Sequence, residues 1–414
     1  MPTAAAARLD GMPPPMADRA YRVAYLVTHP IQYQAPMLRL IAAQPDIDLT
    51  VFFQSDLSLG SYEDEGFGRA VKWDVPLLEG YRHEFLPGFW RQGPIGARKP
   101  LSFGLGRRLR RSRFDALWVH GYARITNLAA ILCAKAHGLK VLVRDEATLF
   151  SADRSGTQRA AKRAFFAILS RLCDAYLAIG SANRDYYLSQ GVPARRIFDM
   201  PYCVDNDFFA RHAGEAAALR QELRRELALA DRRPVILYAS KFEPRKRPQD
   251  LLDAYERALA AAGWAEPPYL LFVGDGELRA QLEASARARG LGGVRFLGFR
   301  NQGELPALYE LSDVFVLPSV REPWGLVVNE AMAAGKAVIV SDRVGCAPDL
   351  VRNGVNGVVF PAGDVTALAE ALRATAGDPE RNARMGEESR KIIERWSFAE
   401  DVAGLRQALR ASFS

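Results

Sequence analysis

Residues 314–335 read VFVLPSVREPWGLVVNEAMAAG. The opening run, 314–317, is apolar and rich in β-formers without alternation, as in a strand buried on both faces of a parallel sheet. Pro323 forbids a helix continuing from Glu322, Gly325 opens a fresh one, and Gly335 ends it. The segment is therefore strand, loop and helix, one half of a βαβ unit. Glu322 sits in the loop and Glu330 in the second turn of the helix, so both carboxylates reach a ligand whose phosphate rests on the N–H groups of Gly325, Leu326 and Val327. The plainer alternative is that each glutamate pairs with a neighbouring Lys or Arg.

The same alternation extends in both directions. Strands are predicted at 21–27, 49–53, 116–119, 140–143 and 175–179, with helices at 33–43, 124–137 and 157–172. From 203 to 213 the pattern breaks, and a charged helical stretch, 215–227, leads to Pro234. A second strand series follows at 235–239, 269–273, 294–297, 314–317 and 337–340, and the final helix, 398–409, has no strand to feed. The expected fold class is α/β, with two doubly wound Rossmann-like domains, 21–207 and 208–395, facing a central cleft. A disordered tail, 1–20, precedes them, and a C-terminal helix, 396–414, follows and can return to the N-terminal domain. Ligands of such folds bind in the cleft at the strand C-termini.

Composition agrees with this organisation. At ~150 residues per domain, 414 residues predict two or three domains. With 49% hydrophobic and 25% charged residues, neither wholesale disorder nor a fibrous repeat fits. Cys133, Cys173, Cys203 and Cys346 lie far apart without C-x-x-C spacing and read as buried thiols in a reducing compartment. No uncharged apolar run approaches the ~18 residues that span a bilayer, and no signal-type segment opens the chain, so a cytoplasmic location is expected.

The net charge of +7 lies wholly in the first half: residues 1–210 hold 27 Lys and Arg against 20 Asp and Glu, and residues 211–414 hold 28 against 28. Arg107, Arg108, Arg110, Arg111 and Arg113 cluster about a short amphipathic segment, 101–109. Three readings compete: a solvated helix face, an anionic membrane surface or lipid-phosphate acceptor, and nucleic acid. Nucleic acid ranks last, because no helix-turn-helix, RNP or zinc-finger pattern accompanies the charge.

The stretch 321–335 resembles the E-x7-E signature of the retaining family 4 (group 1) glycosyltransferases, which have the GT-B fold. Residues 235–252, VILYASKFEPRKRPQDLL, are similar to that family's first C-domain strand and phosphate-binding turn, and FVGDGE at 272–277 and FLG at 296–298 match its pattern. The likeness is strong over roughly 200–375 and weaker over 20–200. It implies a hexosyl transfer with retention from a nucleoside-diphosphate sugar on the C-terminal domain to a glycan, lipid-linked or small-molecule acceptor on the N-terminal domain, in cell-envelope or exopolysaccharide synthesis. A peripheral position on the inner face of the plasma membrane goes with the lipid-linked acceptor. A GT-B epimerase or phosphorylase and a non-catalytic nucleotide-sugar sensor are the alternatives.

For individual residues, the resemblance places Lys241 and Lys246 on the departing diphosphate, although the family more often has Gly-Arg at 240–241. A solvated basic run is the competing account of both lysines. Glu330 is placed on the ribose hydroxyls and Glu322 beside the transferred sugar. Gly274 becomes cleft wall, and the backbone from Gly298 to Arg300 holds the base. His120 ends a strand like the family's His-Gly histidine, which faces the reacting sugar; a lone strand-end histidine is otherwise structural. The loop 28–34 lacks the family's Gly-Gly, so its backbone cannot approach a phosphate as closely. His29 and Gln32 then take over against acceptor or donor sugar, with loop packing as the alternative. Arg144 and Glu146 are further acceptor candidates. The D-x-D pairs Asp46/Asp48 and Asp205/Asp207 lie away from suitable strand ends, so neither a metal nor another cofactor is expected.

Overall fold

A computed structural model describes residues 19–414, with the exception of 94, 113, 152–154, 231–232, 262–263 and 265, and the backbone alone of 111–112 and 211–219. The expected tail therefore lies, apart from its last two residues, outside the described residues, as does Arg113.

Among the described residues two parallel sheets carry the fold. The first has the spatial order Ile197–Asp199, Ala175–Ala178, Lys140–Arg144, Ala116–His120, Tyr21–Val27, Ile47–Phe53, Arg82–Phe85. The second runs Val294–Gly298, Tyr269–Val273, Val235–Ala239, Val314–Leu317, Ala337–Ser341, Gly357–Phe360. The inner strands are buried over most of their length in the first sheet and throughout at Val235–Ala239, Tyr269–Val273 and Val314–Leu317 in the second, because helices cover both faces. The α/β expectation of two doubly wound domains holds.

Among the elements that escape the sequence reading are two edge strands and the first half of a helix. Arg82–Phe85 and Gly357–Phe360 are edge strands with half-exposed residues, so they lack an apolar run. The helix Asn206–Glu226 begins inside the segment read as a break, because Asp205 caps it by accepting the Phe208 N–H at 2.9 Å. It packs on the helices Leu305–Leu311 and Leu326–Ala333, alongside the second sheet.

The helix Phe398–Phe413 crosses back to the first sheet. Leu405 and Leu409 are buried with Val23, Tyr25 and Leu38, and the helix lies against Ile197–Asp199 and Ala175–Ala178. Its Asp401 is ion-paired at 2.9 Å with Arg144, and both side chains are 1% exposed. The Arg144 guanidinium also donates to the carbonyls of Met200 and Pro201 at 2.8 and 3.0 Å and stacks over Tyr202. Arg144 is thus a buried tie between helix and sheet, and the acceptor role expected of it is corrected: no solute reaches it.

Candidate functional site

Where the C-terminal edges of the two sheets face each other, a cavity of about 320 Å3 opens between the domains. Its C-domain wall is built on two turns. The strand Val235–Ala239 runs into the short 3-10 turn Pro244–Lys246, and the Val320 N–H donates to the Arg245 carbonyl at 2.9 Å, tying that turn to the loop bearing Glu322. The loop is held in turn by a bond from the Glu322 N–H to the Arg343 carbonyl (3.3 Å) and one from the Gly345 N–H to the Glu322 carbonyl (3.0 Å). Lys246 and Glu322, each buried, then meet as an ion pair. A buried ammonium requires a counter-charge, and Glu322 provides it.

Gly325 opens the helix Leu326–Ala333 at φ +101°, a conformation that disfavours any side chain. The unpaired N–H groups of this first turn carry partial positive charge and face the cavity through Gly325, Leu326 and Val327. One turn further on, Glu330 lines the same cavity and accepts a hydrogen bond from the Tyr309 hydroxyl at 2.7 Å. Burial lifts the Glu330 carboxyl to a pKa of about 7, against the smaller opposing effect of Tyr309. Gly274, at φ +132°, lines the cavity too; a Cβ there would lie 2.0 Å from the Ser240 carbonyl oxygen, so two strand ends converge because the residue is glycine. Gly298 stands behind the lining, accepting the Gly274 N–H at 2.8 Å and placing Phe299 and Arg300 in the wall.

From the N-terminal domain the cavity receives Gln32, Tyr33 and Glu146. Glu146 accepts from the Tyr202 hydroxyl at 2.5 Å and the Tyr33 hydroxyl at 3.4 Å. His120 does not line the cavity; it lies behind Glu146, with Nε2 3.8 Å from that carboxylate and Nδ1 3.2 Å from the Tyr25 hydroxyl. His29 is set back as well: its Nδ1 pairs with Thr28 Oγ1 at 3.0 Å, and burial lowers its pKa to about 4, so its ring is neutral at pH 7. Of the N-domain candidates, Gln32 and Glu146 reach the cavity, and the two histidines form the layer behind.

Lys241 differs most from its expected position. Its ammonium is 2.6 Å from Asp64 and 4.7 Å from the centre of the Phe67 ring, on a hairpin of the opposite domain, and it does not line the cavity. The reason is local: the chain turns outward after Ser240, and Asp64 stands across the cleft. Phe67, Trp73, Tyr202 and Gln302 line the cavity without having been singled out from sequence, and Phe299 was expected there only as backbone. Flanking glycines at Gly66 and Gly68 mark the Phe67 turn, and nothing in the sequence joins it to Phe299.

Residues 220–392 match the family model of the group 1 glycosyl transferases. The alpha-D-kanosaminyltransferase of Streptomyces kanamyceticus is 28% identical over 320 residues, covering 75% of this chain and 79% of that protein. A GDP-mannose-dependent alpha-(1-6)-phosphatidylinositol monomannoside mannosyltransferase of Mycolicibacterium smegmatis is 31% identical over 58% of this chain, and the match spans less than two thirds, 64%, of its length. For the N-acetyl-alpha-D-glucosaminyl L-malate synthase of Bacillus anthracis, 31% identical, the match spans 44% of that protein. Among solved structures, Anabaena HepE in complex with UDP and glucose superposes with a TM-score of 0.68 at 19% identity, covering 94% of this chain and 98% of that one. A glycosyltransferase from Rickettsia africae gives 0.71 at 13%, covering 95% and 99%. Over residues 220–392 the chain is similar to the group 1 glycosyl transferases, and in fold it is a GT-B protein.

Proposed function

We propose that the chain transfers a hexosyl group, with retention and without a metal ion, from a nucleoside-diphosphate sugar on its C-terminal domain to a glycan, lipid-linked or small-molecule acceptor on its N-terminal domain. The observation that carries this reading is the convergence of Lys246, Glu322, Glu330 and a helix N-terminus on one cavity wall, opposite Glu146. The ammonium and the helix N-terminus suit a diphosphate that gains charge as it departs, and Glu330 suits the ribose hydroxyls. Anabaena HepE, of similar fold, has been solved in complex with UDP-glucose, a donor of this class.

Glu322 is committed to Lys246 and is not assigned as a nucleophile. The route proposed is front-face attack, in which the donor's own phosphate oxygen accepts the acceptor's proton and Glu146 holds the incoming hydroxyl. Screening UDP- and GDP-sugars for thermal stabilisation tests the whole reading. A ligand at ~100 times its dissociation constant adds ~2.7 kcal/mol, a readily measured rise in melting temperature. No shift with any nucleotide sugar would refute it.

What supports the metal-free reading is that three of the D-x-D carboxylates are already committed. Asp46 is bound by Arg406 at 2.6 and 2.7 Å, Asp48 pairs with Arg82, and Asp205 caps a helix. Turnover is expected to survive EDTA; complete loss restored by Mg2+ or Mn2+ would overturn this part of the proposal.

The acceptor is proposed to be used at the inner face of the plasma membrane, in cell-envelope or exopolysaccharide synthesis. Among the described residues no helix is long and apolar enough to cross a membrane, so association would be peripheral. Leu105 and Leu109 anchor the helix Leu105–Ser112, leaving Arg107 and Arg110 exposed, while Arg108 is engaged by Glu84. Phe89, Trp90 and Phe103, 62%, 55% and 51% exposed, lie close by in chain and structure, a mixture of rings and cations suited to a headgroup region. Each exposed cation contributes ~1 kcal/mol near an anionic surface, within a Debye length of ~8 Å. Wild-type protein is expected to sediment with anionic vesicles in a salt-sensitive manner, and Arg107→Ser with Arg110→Ser and Trp90→Ala to abolish this while leaving nucleotide binding intact. A wild type that ignores the vesicles would move the acceptor to a soluble molecule.

A further inference from the structure

The strands Tyr62–Asp64 and Arg69–Val71 form an antiparallel hairpin that belongs by sequence to the N-terminal domain. The hairpin and the residues just after it dock on the C-terminal domain. Asp64 pairs with Lys241 at 2.6 Å, the Asn301 side-chain amide donates to the Lys72 carbonyl at 2.7 Å, and the Gly303 N–H donates to Asp74 at 3.0 Å. Between these anchors, Phe67 meets Phe299 edge to face with ring centres 4.9 Å apart, and Trp73 stands 6.3 Å from Phe299. All three rings are half-buried and line the cavity.

Polar groups complete this end. Gln302 Oε1 and Arg300 Nε, both from cavity-lining residues, are buried with no hydrogen-bond partner among the described residues. Three rings beside an unpartnered acceptor and an unpartnered donor match a flat heterocycle with N–H and C=O groups on its edge. Position agrees. Phe299 follows the strand Val294–Gly298, two strands from the Val235–Ala239 strand that leads to Lys246. At ~4.8 Å per strand that is ~10 Å, about the reach from a nucleobase to its diphosphate.

We infer that the hairpin is part of a nucleobase wall supplied by the opposite domain: Phe67 and Trp73 join Phe299 in one aromatic surface against which the base rests, with Gln302 and Arg300 at its edge. The inference rests on the nucleotide-sugar reading above. It adds that the base is gripped by both domains, so that nucleotide binding favours the docked arrangement of the hairpin.

Calorimetric titration with UDP, GDP, ADP and dTDP, and separately with inorganic pyrophosphate, tests it. Base–aromatic stacking sets the size of the effect: Trp73→Ala and Phe67→Ala should each weaken binding of the preferred nucleoside diphosphate about tenfold. Pyrophosphate, which has no base, should bind both variants as it binds the wild type. Trp73→Phe, which keeps a ring, should recover most of the lost affinity and guards against a folding defect. Unchanged nucleoside diphosphate affinity in both alanine variants would overturn the inference, as would equal losses for nucleotide and pyrophosphate, which mean that the hairpin only holds the domains together. A wild type that binds none of the four nucleotides would instead refute the donor reading, and this wall with it.

Discussion

Lys246→Ala is expected to lower kcat by about 100-fold or more, because it deletes a preorganised charge facing the oxygen on which negative charge develops. The effect should fall on kcat more than on donor affinity, since the charge to be stabilised grows during bond breaking. Lys246 also neutralises Glu322 in a buried pair, and the nearest other cation, Arg245, lies 3.9 Å from that carboxylate. The single variant therefore loses stability as well, by roughly 3 kcal/mol for a fully uncompensated charge and less where Arg245 moves in. Lys246→Ala combined with Glu322→Gln separates the two roles. The pair should regain most of the stability, measured by denaturant unfolding, and none of the turnover. Near-normal kcat in the single variant, or restored kcat in the double, would show that Lys246 serves only as the partner of Glu322.

What the sequence displays and what it hides have separate physical causes. The strands Val235–Ala239, Tyr269–Val273 and Val314–Leu317 are legible residue by residue, because helices on both faces force an unbroken apolar run. The edge strand Arg82–Phe85 is half-exposed and reads as loop. In the site, Glu322, Glu330 and Gly325 are legible because they share one strand-loop-helix segment, whose local geometry brings them together. Arg144 is misread because its partner, Asp401, lies 257 residues away on a helix that crosses between domains. Lys241 is misplaced for the same reason, since Asp64 reaches it from a hairpin of the opposite domain. Contacts within a βα unit can be inferred from spacing, whereas contacts across the cleft leave no mark on it.

Nucleotide binding is expected to strengthen as pH rises from 6 to 8, and Glu330→Gln is expected to abolish that dependence while weakening binding about 10- to 100-fold at pH 8, the range for losing charge-assisted hydrogen bonds. Burial raises the Glu330 carboxyl from its ordinary 4.5 to about 7, so near neutrality the folded chain holds a proton that the unfolded chain has released. Two consequences have opposite signs. The raised value contributes stability that is whole below about pH 4.5 and is lost as pH climbs through 7, up to roughly 3 kcal/mol, and Glu330→Gln should remove this slope from the unfolding curves. Ribose hydroxyls, as donors, favour the ionised carboxylate, so nucleotide binding draws the proton off and gains affinity until the pH exceeds about 7, by at most about tenfold per pH unit. Tyr309 occupies only Oε2, which leaves Oε1 for the ligand. Titrations with the preferred nucleoside diphosphate at pH 6, 7 and 8 measure the second effect, and urea unfolding between pH 4.5 and 8 the first. A wild-type affinity that is flat with pH, or a Glu330→Gln variant that keeps the wild-type slope, would remove Glu330 from the ribose.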